Sequence, residues 1–513
     1  MASTALGGIA YLADYAIGAS IAMSYGFTNA VASVLAAAVV IFLTGIPIAR
    51  ACAANGVDMD LLTRGSGFGY FGSTLTSVIY ASFTFIFFAT EGSIMAQAFQ
   101  RALHIPLPVG YLITTLIVIP IVFKGMSWIS KMQVWTQPVW IAGLVLPFLI
   151  LAVTDPSAYS RFTHFGGAPD GPGSGFDLYG FGMGAGVALS LIAQIGEQAD
   201  YLRFMPQKTA ENKRRWNLAV TAAGPGWVII GAIKQLGGAL LAFAALKTVG
   251  ASAALQPIDQ ILHALRPWFG TAALPLAAFF VIVSQVKINS TNAYSGSLSW
   301  SNFFSRITHR HPGRVWYIFL NLGISLVLME ADMFSALGTL LGFYSNVAIA
   351  WIGAVVADLV INKPLGLSPK YIEFKRAYLH PVNPAGFGAM LVASVVSLVA
   401  FFGAFGDYGE AFSPFIALAL AMALSPLIAW ATKGKYYLAR PNPDAHAPTS
   451  GTTETRTCAV CELDYEIPDT ADCPFHDGTV CSLCCSLDAE CHDACTKGAA
   501  GGPVLLGMPG TRG

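Results

Sequence analysis

Long apolar runs separated by short polar connections fill the chain from its first residues to about residue 435. A run of about 20 apolar residues is the length that an α-helix needs to cross a bilayer. The pattern therefore predicts an all-α polytopic membrane protein. Its twelve predicted spans are 4–24, 28–49, 70–100, 108–123, 132–153, 178–199, 217–245, 270–299, 315–330, 333–361, 384–404 and 412–432.

Basic residues in the connections predict the orientation, because Lys and Arg concentrate in cytoplasmic loops. With the N-terminus inside, the loops on that side and the end of the last span hold nineteen of them, and the opposite loops hold four. Both termini are therefore expected in the cytoplasm. The chain enters an apolar run almost at once, so we expect no cleavable signal. So abrupt a start also leaves open that a polar leader precedes residue 1.

Composition agrees with a membrane protein, since 55% of the residues are hydrophobic and 11% are charged. Soluble domains carry about 25% charge. The formal net charge is zero, which predicts no nucleic-acid partner. The expected partners are the lipid bilayer and a small-molecule solute. We find no pairing of a nucleophile with a base, so we expect no enzymatic activity.

Five short motifs follow one another along the spans: 56–69 (GVDMDLLTRGSGFG), 125–138, 200–204 (DYLRF), 289–296 (NSTNAYSG) and 357–358 (AD). In this order they resemble the nucleobase–cation symporter-1 family, which includes the cytosine, allantoin and hydantoin permeases. The resemblance implies transport of a small solute, such as a nucleobase or a related heterocycle or ureide.

The resemblance also implies a LeuT-type fold. In that fold helices 1–5 and 6–10 form inverted repeats, two further helices follow, and the first helix of each repeat is broken near the midplane. Glycines in spans 1 and 6 agree with such breaks, for example Gly7-Gly8 and Gly196. Glycine also serves close helix packing in membranes, which is the simpler interpretation.

The resemblance places a candidate substrate site on spans 3, 6 and 8. In span 3, Phe87 and Glu91 share a helical face. There the ring can stack on a planar solute and the carboxylate can accept two N–H bonds. Leu191 stands where the family has a tryptophan that stacks on the ligand. The other candidates, on spans 6 and 8, are Gln194, Glu197, Asn289, Thr291 and Asn292.

Asp14 and Lys287 are candidates for an ion or coupling site, because ionisable residues at membrane depth are functional by default. Sodium-coupled family members place small hydroxyl residues near the position of Lys287. An ammonium group could supply the charge of the ion, so we predict a sodium-independent protein. The alternative is that Lys287 snorkels or pairs structurally with Asp14. We interpret Lys234 as packing or snorkelling, and Asp200 with Arg203 as a structural pair.

The C-terminal part of the chain differs in composition from the apolar part, because it is polar and rich in cysteine. The predicted domains are a permease-like domain (1–435), a linker (436–457), a Cys-rich module (458–496) and a flexible tail (497–513). Two CxxC pairs with further Cys and His at short spacing are typical of zinc sites. A reducing cytoplasm argues against disulfides, and metal would stabilise so short a segment.

Eight ligands would serve two zinc ions. The predicted sets are Cys458, Cys461, Cys481 and Cys484, and Cys473, His476, Cys491 and Cys495. Three alternatives remain: Cys485 or His492 replaces a member, one four-cysteine site is accompanied by spare thiols, or the thiols bind an iron–sulfur cluster.

The Cys-rich module resembles the connector of bacterial proteins in which a transporter-like module precedes a histidine kinase. We therefore expect a bacterial inner-membrane location. Two functions follow from the sequence. The chain is a permease, or it is a solute sensor that relays binding through the zinc tail to a signalling output such as a histidine kinase.

Overall fold

The chain forms a helical bundle followed by a small module of two β-hairpins. The computed structural model describes residues 8–168, 171, 173–444 and 454–497. The start of the first predicted span, part of the linker and nearly all of the predicted tail lie outside these residues. The helices of the bundle are α1 Ala13–Asn55, α2 Met59–Thr63, α3 Gly72–Leu103, α4 Leu107–Phe123, α5 Met126–Trp135, α6 Gln137–Thr154, α7 Ser157–Phe162, α8 Leu178–Leu189, α9 Ile195–Leu202, α10 Lys213–Ala223, α11 Trp227–Val249, α12 Ala251–Ala254, α13 Pro257–Phe269, α14 Ala273–Thr308, α15 Arg314–Glu330, α16 Leu337–Ala357, α17 Phe387–Phe401, α18 Gly406–Ala411 and α19 Ser413–Ala431.

Each predicted span falls on a helix. Among the described residues, eight helical segments are long and apolar enough to cross a membrane, or nine if the bent pair α4 and α5 is one span. The count is below twelve because α1 covers two predicted spans, and because α15 and α17 have only 17 and 15 residues. Within α1 the two spans meet at Gly26, whose backbone is not helical (φ 77°, ψ 174°). A Cβ there would lie 2.9 Å from the Phe165 carbonyl oxygen.

Two of the predicted spans depart from regular α-helix. The first predicted span was expected to be helical from residue 4, but α1 begins at Ala13 and residues 8–12 are irregular. Between α8 and α9 the chain forms a 3-10 helix, Ser190–Gln194. The interruptions fall in spans 1 and 6, where the LeuT-type fold requires them.

Close packing brings α11 against α1 beside the first interruption. A Cβ on Gly18 would lie 1.8 Å from the Gln235 carbonyl oxygen, and one on Gly238 would lie 2.3 Å from the Tyr15 Cα. Neither position has room for a side chain. The approach of the two backbones places the middle of α11 directly beside residues 8–14.

Five helices lie in connections between the predicted spans: α2, α7, α12, α13 and α18. The longest is α13, in the connection 246–269, and α7 lies in the connection 154–177. A search for apolar runs of membrane length passes over them, because α7 has only six residues and α13 carries polar and apolar residues on different faces.

The Cys-rich module, together with the last residues of the predicted linker, forms two antiparallel hairpins and two short helices. Strand β1 Thr455–Thr457 pairs with β2 Asp464–Glu466, and β3 Thr470–Cys473 pairs with β4 Gly478–Cys481. Helices α20 Ser482–Leu487 and α21 Ala494–Lys497 follow. We call the side of the bundle on which this module packs the module face.

Arginine side chains of the bundle hold the module in place. Arg376, in the connection between α16 and α17, pairs with Asp493 at 2.9 Å. It also donates to the carbonyl oxygens of Cys485 and Asp488 at 2.7 and 2.6 Å. Arg440 donates to the Asp472 carbonyl oxygen at 2.7 Å. Since charge-assisted hydrogen bonds are the stronger kind, these contacts fix the position of the module.

Candidate functional site

The irregular segment 8–12 leaves its backbone groups without helical partners, and side chains from other helices replace those partners. A buried carbonyl without a hydrogen bond is costly, especially in a membrane. The hydrogen bonds are Gln194 Nε2 to Gly8 O (2.8 Å), Lys234 Nζ to Ile9 O (2.7 Å) and to Tyr11 O (2.8 Å), Trp140 Nε1 to Ala10 O (3.2 Å), and Ser284 Oγ to Ala10 O. Four elements of the bundle thus converge on one short stretch of backbone.

Glu91 of α3 caps the start of α1. Its carboxylate accepts hydrogen bonds from the backbone N–H groups of Leu12 (3.3 Å) and Ala13 (3.2 Å). It also accepts one from the side-chain amide of Gln285. A carboxylate is favoured here because the first N–H groups of a helix are unpaired and carry partial positive charge. Glu91 is fully buried and connects α1, α3 and α14.

Lys234 and Asp14 form a buried ion pair beside the same segment. The Lys234 Nζ lies 3.0 Å from Asp14 Oδ2 and 3.7 Å from the centre of the Tyr11 ring. Gln235 donates to the other Asp14 oxygen at 2.8 Å. The sequence interpretation of Lys234 as packing or snorkelling was wrong, because its ammonium points inward to carbonyl and carboxylate oxygens. The signal available was that Asp14 and Lys234 both lie within apolar spans.

Lys287 points away from the Lys234–Asp14 pair, toward α5 and α6. Its Nζ donates to Gln133 O (2.9 Å), Thr136 Oγ1 (2.9 Å) and Gln137 Oε1 (3.2 Å). These groups belong to α5 and the start of α6, and all are uncharged. The predicted alternative of a pair with Asp14 was therefore wrong, since Asp14 pairs with Lys234. The role of Lys287 as a substitute for an ion stays a prediction.

The remaining predicted residues lie around the interruptions. The rings of Phe87 and Phe83 are 4.6 Å apart. Leu191 and Gln194 lie in the 3-10 helix, and Glu197 begins the helix that follows. In α14, Asn289 donates to Phe88 O at 3.3 Å and Asn292 donates to Asn289 Oδ1 at 3.2 Å.

Sequence reasoning missed Gln285, Ser284 and Trp140, although each contacts the interrupted segment or its cap. Gln285 and Ser284 lie one turn before Asn289 in α14. The motif resemblance aligned only the segment from residue 289 onward, so it did not reach them. A search for polar residues one turn earlier on the same face would have found Gln285.

A second polar layer lies between this site and the module face. Asp60 pairs with Arg64 at 2.7 Å and with the buried Arg306, and it accepts a hydrogen bond from Ser77 at 2.6 Å. Tyr80 donates to Asp200 at 2.9 Å. Arg203 forms its ion pair at contact distance with Asp58, at 2.9 Å, and it also interacts electrostatically with Asp200, the partner predicted from the sequence. These acidic groups line one cavity, together with Asn302 and Trp351.

Four cysteines of the module form a cluster of metal-site size. The thiol sulfurs of Cys458, Cys461, Cys481 and Cys484 all lie within 4.8 Å of one another. Burial raises the pKa of the Cys458 thiol, but backbone hydrogen bonds from Cys461 and Cys481 outweigh burial and bring that pKa to about 6. Four thiolates at this spacing fit one tetrahedral metal ion. The first predicted set is therefore brought together.

The second predicted set, Cys473, His476, Cys491 and Cys495, lines one cavity of the module, but its donor atoms are farther apart than those of the first cluster. Among the described residues, no further group of three or more His, Cys, Asp or Glu side chains is as closely spaced. The His476 Nε2 is hydrogen-bonded to Asp488 Oδ2 at 2.7 Å, which leaves Nδ1 as the nitrogen that a metal would use. A metal site of Cys473, His476, Cys491 and Cys495 stays a prediction.

The interrupted helices and the convergence of polar groups on them define a LeuT-type membrane transporter. Residues 1–430 match the family of permeases for cytosine/purines, uracil, thiamine and allantoin. Since this match covers most of the chain, the protein belongs to that family. It is a nucleobase-type permease, integral to the membrane. No curated protein matches the sequence significantly.

Solved structures confirm the fold class. The chain is similar to Mhp1, a nucleobase-cation-symport-1 family transporter, in a closed conformation with bromovinylhydantoin bound: TM-score 0.62, 17% identity, 85% of this chain and 95% of that chain. The inward-facing conformation of Mhp1 has a TM-score of 0.61 and 17% identity, and the match covers 86% of this chain and 94% of that chain. A sodium-coupled sialic acid symporter has a TM-score of 0.59 and 12% identity, and the match covers 84% of this chain and 89% of that chain. At these identities the likeness shows the fold alone.

Proposed function

We propose that the protein binds a planar heterocycle, such as a nucleobase or a related ureide, at the interrupted helices and transports it across the membrane. The convergence of Glu91, Gln194 and Gln285 on residues 8–13 carries this proposal, because amide and carboxylate groups match the edges of such rings. Phe87 lies one turn from Glu91 on the same face of α3. Glu197 Oε1, Thr291 Oγ1 and Gln285 Oε1 are buried without a hydrogen-bond partner among the described residues. They are the groups that we assign to the solute, with Asn289, Asn292 and Leu191 completing the wall.

We attribute sodium independence to a cation that the protein itself supplies, the ammonium group of Lys234. The Lys234 ammonium contacts two freed carbonyl oxygens of residues 9 and 11 and the carboxylate of Asp14. These are hard oxygen ligands of the kind that bind a metal cation. We assign the cation role to Lys234 with Asp14, because Lys287 contacts only neutral groups on α5 and α6.

Uptake by purified protein in proteoliposomes tests the transport proposal. Radiolabelled nucleobases, hydantoins and allantoin, offered one at a time, are expected to include a solute that accumulates saturably. An excess of the unlabelled compound should compete, and liposomes without protein should show no uptake. Saturable binding in detergent without flux into liposomes would show a sensor instead. Neither binding nor flux for any compound would remove the heterocycle assignment.

Replacing sodium with choline on both sides of the liposome membrane tests the built-in cation. The rate of uptake is expected to stay within about twofold, because the Lys234 ammonium already contacts the oxygen ligands at the break. A proton gradient imposed in the absence of sodium then shows whether uptake is proton-linked. A rise of tenfold or more on adding sodium would contradict the assignment of Lys234.

A sensor is the second candidate, and the docking of the module favours it. The buried ring of Tyr70 is contacted by Arg64, Arg306 and Arg376, whose guanidinium carbons lie 5.4, 6.0 and 5.8 Å from its centre. Arg306 belongs to α14 and Arg376 holds the module. Solute binding at α14 therefore has a short physical route to the module, and from there to an output such as a histidine kinase.

The proposed setting is a bacterial inner membrane with both termini in the cytoplasm. The concentration of Lys and Arg on the module face supports this orientation. In a reducing compartment the four clustered thiols stay free for a metal, and we assign zinc to them because its structural sites are commonly all-cysteine.

A further inference from the structure

Glu197 and Asp200 are two buried carboxyl groups on one face of α9. They are three residues apart, so their side chains are neighbours on the helix surface. Glu197 Oε1 has no hydrogen-bond partner among the described residues. Glu197 belongs to the wall of the solute site, and Asp200 belongs to the second polar layer, toward the module face. The two groups therefore connect the solute site with that layer.

Neither carboxyl group has a cation at ion-pair distance among the described residues. Other buried acidic groups nearby do have one: Asp14 pairs with Lys234 at 3.0 Å, and Asp58 pairs with Arg203 at 2.9 Å. Arg203 acts on Asp200 only from farther away. In a poorly solvating environment, a carboxyl group without a cation beside it is more stable when it carries a proton. The pair is therefore suited to binding a proton.

The charged and titratable groups around the pair are almost all acidic or phenolic. Those that interact electrostatically with Glu197 are Glu91 and Tyr80 of α3, Tyr11 of the irregular segment, and Asp200 and Tyr201 of α9. Those that interact with Asp200 include Cys52 of α1, Asp58, Tyr80 and Arg203. Arg203 is the one cation among these groups, and its contact-distance partner is Asp58.

Tyr80 connects α3 to the same face of α9. Its hydroxyl donates to Asp200 Oδ2 at 2.9 Å. Gly196, the residue before Glu197, permits this approach, since a Cβ there would lie 2.7 Å from Cε2 of the Tyr80 ring. A phenolic hydroxyl donates and accepts hydrogen bonds at once. Tyr80 therefore holds Asp200 in place and can itself relay a proton.

Asp200 also lines the cavity of the second polar layer, whose volume is about 320 Å³. Ser299 Oγ lies in the same lining and is buried without a hydrogen-bond partner among the described residues. Polar groups of this kind are satisfied by water where a cavity has room for it. Asp58, which lines the cavity too, is 16% exposed. The cavity therefore offers a proton a polar way out from Asp200.

We propose that Glu197 and Asp200 carry the coupling proton of a proton–solute symport, and that the cavity beside Asp200 is the exit of this proton. A proton that enters with the solute binds a carboxylate oxygen of Glu197. The O–H bond of Glu197 breaks as Asp200 accepts the proton, directly or through the Tyr80 hydroxyl. The O–H bond of Asp200 then breaks as water in the cavity accepts it. This inference rests on the proposed transport function and names its coupling ion.

Accumulation of solute in sodium-free proteoliposomes tests the proposal. A gradient of about one pH unit, acidic outside, supplies the free energy of about tenfold accumulation if one proton moves with each solute. Radiolabelled uracil, hydantoin and allantoin are the probes, each tested first on the wild type. We expect the wild type to accumulate its solute to that extent. Asp200→Asn is expected to equilibrate the solute without accumulation, while it still exchanges internal for external solute.

Two variants serve as controls. Asp200→Glu keeps a carboxyl group and should restore accumulation, and Asp407→Asn changes an exposed aspartate in α18 and should accumulate like the wild type. Loss of both accumulation and exchange in Asp200→Asn, without recovery in Asp200→Glu, would assign Asp200 a structural role and overturn the proposal. Accumulation that is independent of the gradient in the wild type, or that persists in Asp200→Asn, would also overturn it.

Infrared spectroscopy of the purified protein separates the proton site from the transport function, because it requires no solute. The C=O stretch of a protonated carboxyl group is expected in the wild type, should weaken as the pH is raised, and should be reduced in Asp200→Asn. If the wild type takes up none of the three probes, transport fails as a proposal, and this band alone decides whether the pair binds a proton. A wild-type spectrum without the band at any pH would overturn the proton site, even if no variant folds.

Discussion

Lys234→Met is expected to destabilise the protein strongly and to abolish uptake. The substitution leaves Asp14 buried without its ion partner and removes the donor to the carbonyls of Ile9 and Tyr11. Removing one member of a buried pair costs about 3–5 kcal/mol, because the other charge stays in a poorly solvating environment. Thermal unfolding in detergent and uptake in proteoliposomes measure the two effects.

Lys287→Met is the matched control, since it removes a second buried lysine at similar depth. Its partners are uncharged, so no carboxylate is left unpaired, and the loss is expected to be about 1–2 kcal/mol. The double variant Asp14→Asn with Lys234→Met should recover part of the stability lost in Lys234→Met. Equal losses in the two lysine variants would refute the distinction between them.

Glu91→Ala is expected to loosen the start of α1 and to eliminate solute binding. The backbone N–H groups of Leu12 and Ala13 and the amide of Gln285 lose their acceptor together. Each unpaired buried group costs about 1–3 kcal/mol. Hydrogen exchange, followed by mass spectrometry, should show faster exchange for a peptide covering residues 9–15. Saturation binding of the transported solute measures the second effect.

Glu91→Gln keeps the shape of the side chain but removes its charge, so it separates the effects of the two. It keeps one acceptor oxygen and turns the other into a donor that meets backbone N–H groups, so an intermediate effect is expected. Glu330→Ala removes an exposed carboxylate at the end of α15 and should leave both measurements unchanged. Unaltered exchange in Glu91→Ala would contradict the capping role.

The spans were predictable from the sequence because a lipid-facing helix must be apolar over its whole length. The boundary between the first two spans, at Gly26, was easy to predict, because it separates two apolar runs that are each long enough to cross a bilayer. The interruption at residues 8–12 was predictable only through the family resemblance. Hydropathy alone does not distinguish an irregular apolar segment from a helical one.

Contacts between helices were not predictable, because they depend on rotation about each helix axis. Lys234 and Lys287 look alike in the sequence, as each is a single lysine within an apolar run. The close approach of α11 to α1 at Gly18 and Gly238 turns Lys234 toward Asp14, and nothing local to Lys234 reports this. In the module, the CxxC pairs identified the first cluster because their spacing is itself the signal.

The ring of Tyr70 connects the Cys-rich module to helices of the permease that are expected to move. One ring is shared by guanidinium groups from the loop after α2, from α14 and from the connection that holds the module. LeuT-type folds work by rocking one group of helices against another. If α14 shifts, Arg306 moves relative to the Tyr70 ring. Arg376 then either moves with the ring or loses its contact with it. Motion of α14 would therefore be transmitted to the module through Tyr70 and Arg376.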